Sequence, residues 1–466
     1  MLLISSCQKP STKIEIEQPA KVESCTSNTL KISKESIPLS KNDAMNVALM
    51  FSSSGSPETR GGVDKTVKSV IPVKEDEETL LYGVNFEDGY LLISGTKNYY
   101  PILAEVEHGY FDGTPTGTGA DILLAEIKGN IKAVNANPEL RVNRSVWSQY
   151  EEVEIPKHLP ATRSGFDDVV NDSLYNWAAG GWTVYTLANQ PENMPDDLYA
   201  EFCDAAYDEN GEDPNYDYMY YTFILERSVN SVTTQGPLLQ TAWAQDYPYN
   251  CSDPYAYPLG CVTIAIGQLM RFFESPSYSS SFPFYLANMP NHLYSYSTPN
   301  MQLADYLYRL RGELGVSNTG GANDDDALRV LRNYEYSCNL LDNHSSASVH
   351  SSLANNLPAY LGWYDLLEGG HAWVCDGYKD YINYNIYRLY IFRYDGGSLP
   401  ALYDMEREGT SEWNIVTRFH MNWGWNGSHD GYFSDQNLTT EDHYDGETTF
   451  YNPSYDRTDI IITAVN

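Results

Sequence analysis

Pro258–Phe273 reads PLGCVTIAIGQLMRFF, and the rest of the chain takes its meaning from the cysteine in it. From Val262 the apolar residues Val262, Ala265, Ile266, Leu269 and Phe273 fall on one face of a helix, and Ser275-Pro276 ends the pattern. Cys261 stands at the mouth of that helix. A thiol there feels the positive end of the macrodipole, which favours thiolate over thiol. Cys261 is therefore a candidate nucleophile. A lone cysteine at the head of an apolar helix also fits a small buried hydrophobe, so partners elsewhere in the chain must decide.

The chain has 466 residues, enough for two domains or more. Its formal charge of −34 repels phosphate backbones, which excludes nucleic acid from the expected partners. With 39 tyrosines and 9 tryptophans against 20% charged residues, it carries enough amphipathic surface to bury a core. Seven cysteines, at 7, 25, 203, 251, 261, 338 and 375, lack the close pairs of a zinc site, so no metal and no cofactor is expected. No stretch is long and apolar enough for a membrane helix.

The N-terminus, MLLISSCQKPS, resembles the lipobox of bacterial lipoproteins, in which the cysteine after the signal is lipidated. Membrane attachment, if any, is then through a lipid on Cys7, and the expected location is extracellular, at the outer surface or in the periplasm of a bacterium. Residues 8 to about 37 are polar and read as a flexible tether. Leu39–Phe51 reads as a short amphipathic helix capped by Ser40 or Asn42, and residues 80–112 as a meander of antiparallel strands with turns at Glu87-Asp88-Gly89 and Gly95. Further helices are expected over Ile122–Ala133, Phe166–Ala179 and Met301–Leu314, with an N-cap before Ala327 as the reading of the aspartate run GGANDDDALRVLRNY. The acidic segment 204–221 reads as a solvated loop or linker.

A cysteine protease needs an activated thiolate, an imidazole to handle its proton, a polar group to orient the imidazole, and donors for the oxyanion. Four stretches supply these in turn. LLQTAWAQDYPYN carries Gln245 upstream of Cys261, as an oxyanion donor. GGHAWVCDGY carries His371 behind two glycines that allow close approach. FHMNWGWNG carries Asn422, whose amide could fix the ring, and Trp423, which could cover that bond. His420, two residues before Asn422, faces the same side of a strand and is the rival base; Cys375 reads as core. Each residue alone has an ordinary structural explanation, but the order Gln, Cys, His, Asn within one region is hard to dismiss.

Together LLQTAWAQDYPYN, GCVTIAIGQLMRFFESP, GGHAWVCDGY and FHMNWGWNGSHDGYF resemble the streptopain family of papain-like cysteine peptidases. The resemblance implies an α+β fold, papain-like, with a helical part and an antiparallel β part, preceded by a smaller α+β prodomain. It implies Cys261 as nucleophile, His371 as base, Gln245 with the Cys261 backbone N–H as oxyanion hole, and Asn422 with Trp423 as orienting groups. Residues 38–112 resemble the family's inhibitory propeptide, so the chain's own N-terminal region is an expected intramolecular partner beside protein or peptide substrates. The expected division is 1–37 signal remnant and tether, 38–230 inhibitory region, 231–466 catalytic domain. Two other functions use the same residues or scaffold: a Cys-His amidase or peptidoglycan peptide hydrolase, and a non-catalytic surface binding protein.

Overall fold

The structure is a computed structural model that describes residues 31–33, 37–53, 66–75, 77–114, 120–142, 144–151, 166–210, 219–294, 298–365, 369–394, 401–411, 414–434 and 456–465. Cys7 and nearly all of the expected tether lie outside these residues. Thirteen strands among the described residues join one sheet. Helices cover it in several layers, which is the expected α+β class.

The N-terminal elements follow the sequence pattern closely. Helix α1 (Lys41–Ser53) begins at a reciprocal cap, in which Ser40 N–H donates to Asp43 Oδ2 at 2.9 Å and Asp43 N–H to Ser40 Oγ at 3.2 Å. It buries Ala44, Val47 and Ala48 against the meander β1 (Ser69–Glu75), β2 (Glu78–Asn85), β3 (Tyr90–Ser94) and β4 (Ile102–Val106). Helix α2 (Ala120–Ala136) follows, then α3 (Phe166–Ala179) and strand β5 (Thr183–Thr186).

The acidic stretch is not a linker. Helix α4 (Asp196–Asn210) occupies its first part and strand β6 (Met219–Gln235) its last, with 211–218 outside the described residues. Phe202, Ala205 and Ala206 lie on one helical face and are buried on Ile224, Leu389 and Ile391, while Glu201 and Asp204 are exposed on the other. Acidic composition concealed a periodic apolar stripe. Strand β6 also runs across residue 230, where the inhibitory and catalytic regions were expected to divide.

Next comes α5 (Cys261–Phe273), with α6 (Met301–Glu313), α7 (Asp324–Asn333), strand β7 (Tyr336–Leu341) and α8 (Ser346–Ala354) after it. The caps Asn300 and Asn323 accept from Leu303 N and Asp326 N, as the aspartate-run reading requires. Helix α5 is buried on every side from Cys261 to Met270, not on one face. Its polar members are satisfied inside: Thr263 Oγ1 donates to Leu259 O at 2.7 Å, and Gln268 Oε1 accepts from Trp243 N at 3.0 Å.

Strand β8 (Ala359–Asp365) turns into β9 (Gly369–Tyr394), the twenty-six-residue strand on which the rest of the sheet is built. Its first part pairs with β8, placing Trp363 opposite His371, and its remainder with β6 along Tyr378–Tyr394. On the other side lie β10 (Ala401–Thr410), paired with Ile386–Arg393, and β11 (Asn414–Asn422), paired with Val374–Asn383. Strand β12 (Gly431–Ser434) follows β11 and pairs on its outer side with β4; β13 (Asp456–Val465) joins β8 and β7. Alternation along β9 turns Ala372 and Val374 to the layer of α5 and Trp373 and Cys375 to the layer of α2. Cys375 is core.

Gly260, directly before the nucleophile candidate, has φ of 87°, and a Cβ there would lie 2.5 Å from Gly320 O. Gly260→Ala is expected to cost about 1–3 kcal/mol of unfolding free energy through backbone strain alone. Urea melts of the two proteins measure it, and an unchanged midpoint would mean that the backbone at 260 can leave the left-handed region without loss.

Candidate active site

Cys261 is the first residue of α5, so its backbone N–H has no acceptor within the helix. Upstream, Gln245 O accepts from Leu259 N at 3.0 Å, which straps the glutamine to the segment entering α5. The Gln245 side chain is 6% exposed, and its Nε2 is buried without a hydrogen-bond partner. An orphaned buried amide costs about 1–3 kcal/mol, so it calls for an explanation.

His371 stands near the start of β9, after Gly369-Gly370, and is 7% exposed. Its ring stacks between Trp373 (5.9 Å, 19°) and Trp425 (6.3 Å, 28°), while Nε2 lies 3.2 Å from the backbone oxygen of Trp423. A carbonyl only accepts, so Nε2 carries the hydrogen and Nδ1 of the neutral ring is the basic nitrogen. Burial drives the His371 pKa down to about 4, against a smaller upward pull from the Trp423 bond.

Asn422 ends β11 and Trp423 follows it beside this ring, but the amide of Asn422 is engaged elsewhere. Its Nδ2 donates to Thr241 O at 2.7 Å, and its Oδ1 accepts from Gln268 Nε2 at 3.0 Å and Gly424 N at 3.3 Å. Asn422 thus rivets β11 to α5 and to the Gln245 strap, and the main chain of the next residue meets the histidine. Gly424 is packed so closely on α5 that a Cβ would sit 3.0 Å from Ile264 Cγ2. The first turn of the cysteine helix and the carbonyl that receives His371 therefore belong to one contact. Trp423 is fully buried, its indole donating to His429 O at 2.9 Å.

His420 is differently employed. It is buried with Nδ1 2.6 Å from Asp376 Oδ1, and although burial opposes its charge, Asp376 holds its pKa above the ordinary value. Asp376 also accepts from Leu239 N through Oδ2 at 3.0 Å, so the pair fixes the entry to the catalytic segment. Near it, burial pushes Asp430 up to about 7, and its Oδ1 accepts from Trp423 N at 3.0 Å. Sequence reading passed over Thr241, Gln268, Trp425 and Asp430; only their place within the four quoted motifs marked them. Among the described residues no group of three or more His, Cys, Asp or Glu could hold a metal ion, and no helix is long and apolar enough to cross a membrane.

Residues 243–433 match the model of the Peptidase C10 family. The C10 segment contains Gln245, Cys261, His371, Asn422 and Trp423, and the streptopain-like resemblance of the four motifs is met. The thiol protease/hemagglutinin PrtT of Porphyromonas gingivalis is 26% identical over 256 residues, covering 42% of this chain and 24% of that protein. The chain thus spans about a quarter of the length of that curated relative. A solved fragment of Prevotella intermedia prointerpain A superposes with a TM-score of 0.42 at 15% identity, over 84% of this chain and 96% of that one.

A histidine that is harder to protonate folded than unfolded takes up fewer protons in the native state as pH falls. Its contribution to stability is therefore complete above the unfolded pKa and is lost as pH drops from 6.5 towards about 4. At pH 5 that loss is about 2 kcal/mol. His371→Asn should narrow the stability difference between pH 7 and pH 5 by about this amount in urea titrations; an equal difference in both proteins would mean that the ring is hydrated.

Proposed function

We propose that the chain is a cysteine endopeptidase made as a zymogen, and the observation that carries the reading is the orphaned Nε2 of Gln245, a residue whose main chain is bonded to Leu259, two residues before Cys261. A buried donor kept without an acceptor suits a site that meets its acceptor only during reaction. The tetrahedral oxyanion of a peptide would take that place, with the backbone N–H of Cys261 as second donor. The Cys261 thiolate attacks the peptide carbonyl, forming the S–C bond. His371, having taken the thiol proton at Nδ1, delivers it to the leaving amine as the C–N bond breaks. Water then attacks the thioester, releasing the new carboxylate and restoring the thiol.

The N-terminal region, residues 38–230 in this reading, keeps the pair idle. Leu123, Ile127 and Ile131 of α2 share one apolar cluster with Trp363, Trp373 and Trp423, and Glu126 reaches Arg457 of β13 at 3.5 Å. The same cover contributes to the burial that holds His371 neutral, whereas an active pair needs the ring charged opposite a thiolate. Removing the cover rehydrates the ring and raises its pKa. The releasing cut is placed between Arg144 and Thr234, and a lipid on Cys7 would hold the enzyme at a bacterial surface until then.

Cys261→Ala should abolish hydrolysis of denatured casein and remain full length by mass spectrometry, while the wild type loses its N-terminal region. An alanine protein that still cleaves casein overturns the reading; cleavage of cell-wall peptides instead of casein by the wild type would make the enzyme an amidase of the same dyad. Gln245→Leu should lower kcat by about 10²–10³-fold, the usual loss for one oxyanion donor. Its thermal midpoint should not fall, because the side chain it replaces has an unmet donor, and a fall in stability with full activity would count against the oxyanion role.

A further inference from the structure

The peptide that receives His371 is itself held from behind. Trp423 N–H donates to Asp430 Oδ1 at 3.0 Å, and its indole N–H donates to His429 O at 2.9 Å. Both acceptors lie at the far end of the turn 424–430, between β11 and β12. Gly424, Asn426, Gly427 and His429 in that turn all have positive φ, of 73°, 59°, 78° and 62°. Gly424 and Gly427 take such backbone without strain, and the turn's own bonds, Ser428 N to Trp425 O at 3.0 Å and Asp430 N to Gly427 O at 3.4 Å, are supplemented by further ties. Those ties are Asn426 N to Trp243 O at 3.0 Å, Tyr249 OH to Asn426 Oδ1 at 2.8 Å, and the Asp430–Trp423 bond, which closes the turn.

We propose that Asp430 is the positioning residue for the catalytic histidine. Its carboxyl oxygen fixes the main chain of Trp423, and through the Trp423 carbonyl it sets the tautomer and the tilt of the His371 ring. The inference rests on the peptidase reading above. Asp430 touches neither substrate nor ring. The role that an amide side chain fills in the expected scheme passes here to a backbone carbonyl, because the Asn422 amide is committed to Gln268, Thr241 and Gly424. A carbonyl has no rotamer of its own, so its aim is only as good as the peptide's anchorage. The requirement is for an oxygen acceptor at position 430, not for a charge, since a protonated carboxyl or a carboxamide still offers an oxygen to Trp423 N–H.

The test compares wild type, Asp430→Ala, Asp430→Asn and Cys261→Ala in the full chain, activated in the same way and assayed on a fluorogenic peptide. Asp430→Ala should lose on the order of 10²-fold in kcat with KM little changed, as misplacement of a catalytic group does. Asp430→Asn should recover most of that loss, which a merely structural carboxylate or a charge effect would not allow. If Asp430→Ala fails to fold, Asp430→Ser replaces it, its hydroxyl stopping short of the Trp423 N–H while leaving room for water. Wild-type kcat in the alanine or serine protein overturns the inference, and so does an asparagine protein as slow as the alanine one. Turnover by Cys261→Ala would instead sink the peptidase reading itself, whatever position 430 does.

Discussion

A backbone carbonyl oxygen accepts hydrogen bonds and never donates them, and at Trp423 that asymmetry governs the site. It forces the hydrogen of a neutral His371 onto Nε2 and leaves Nδ1 as the base. A side-chain amide in its place could turn over and offer either end. The main chain gives up that adaptability for a direction set by the hairpin between β11 and β12 and by the packing of Gly424 on α5. The cysteine helix, the histidine strand and the loop between them are thus fixed by one shared contact.

This arrangement depends on α5 being immersed. A helix exposed on one side could shift by a fraction of a turn; one buried from Cys261 to Met270 cannot move without opening cavities in a close-packed core. Gln268 turns the immersion to use, linking Trp243 of the upstream segment to Asn422 of β11 through one carboxamide. The helix that begins at Cys261, the strap that carries Gln245 and the loop that meets His371 are held in register by the same side chain.

Much of this was legible in the sequence. Helix periodicity and turn residues located α1, α2, α3, α5 and α6 and the N-terminal meander, because local burial there follows simple repeats. The candidate site residues could be read as types in an order, and of these the structure brings the carbonyl of Trp423 to His371. What stayed hidden was partnership. Nothing in FHMNWGWNG says that the amide of Asn422 is taken up by Gln268 and Thr241, since both partners are distant in sequence. The helix α4 was hidden for another reason: its carboxylates dominate the composition, while three apolar residues suffice to dock it. The course of β6 past residue 230 was equally unreadable, because its pairing with β9 is long-range.

The seam between β4 and β12 links the first quarter of the chain to the strand that follows the site loop. Gly431 is glycine because β4 leaves no space for more: a Cβ there would lie 2.4 Å from Glu105 O. In the activation proposed above, departure of the N-terminal region leaves that seam a bare sheet edge with its peptide groups open to pairing by any extended chain. The edge is short, from Gly431 to Ser434, and Lys379 beside it loses its partner Glu105, at 2.7 Å, while keeping its place 4.0 Å over the Tyr432 ring. On that proposal, a short edge guarded by a newly unpaired lysine would resist stacking of one released chain on another.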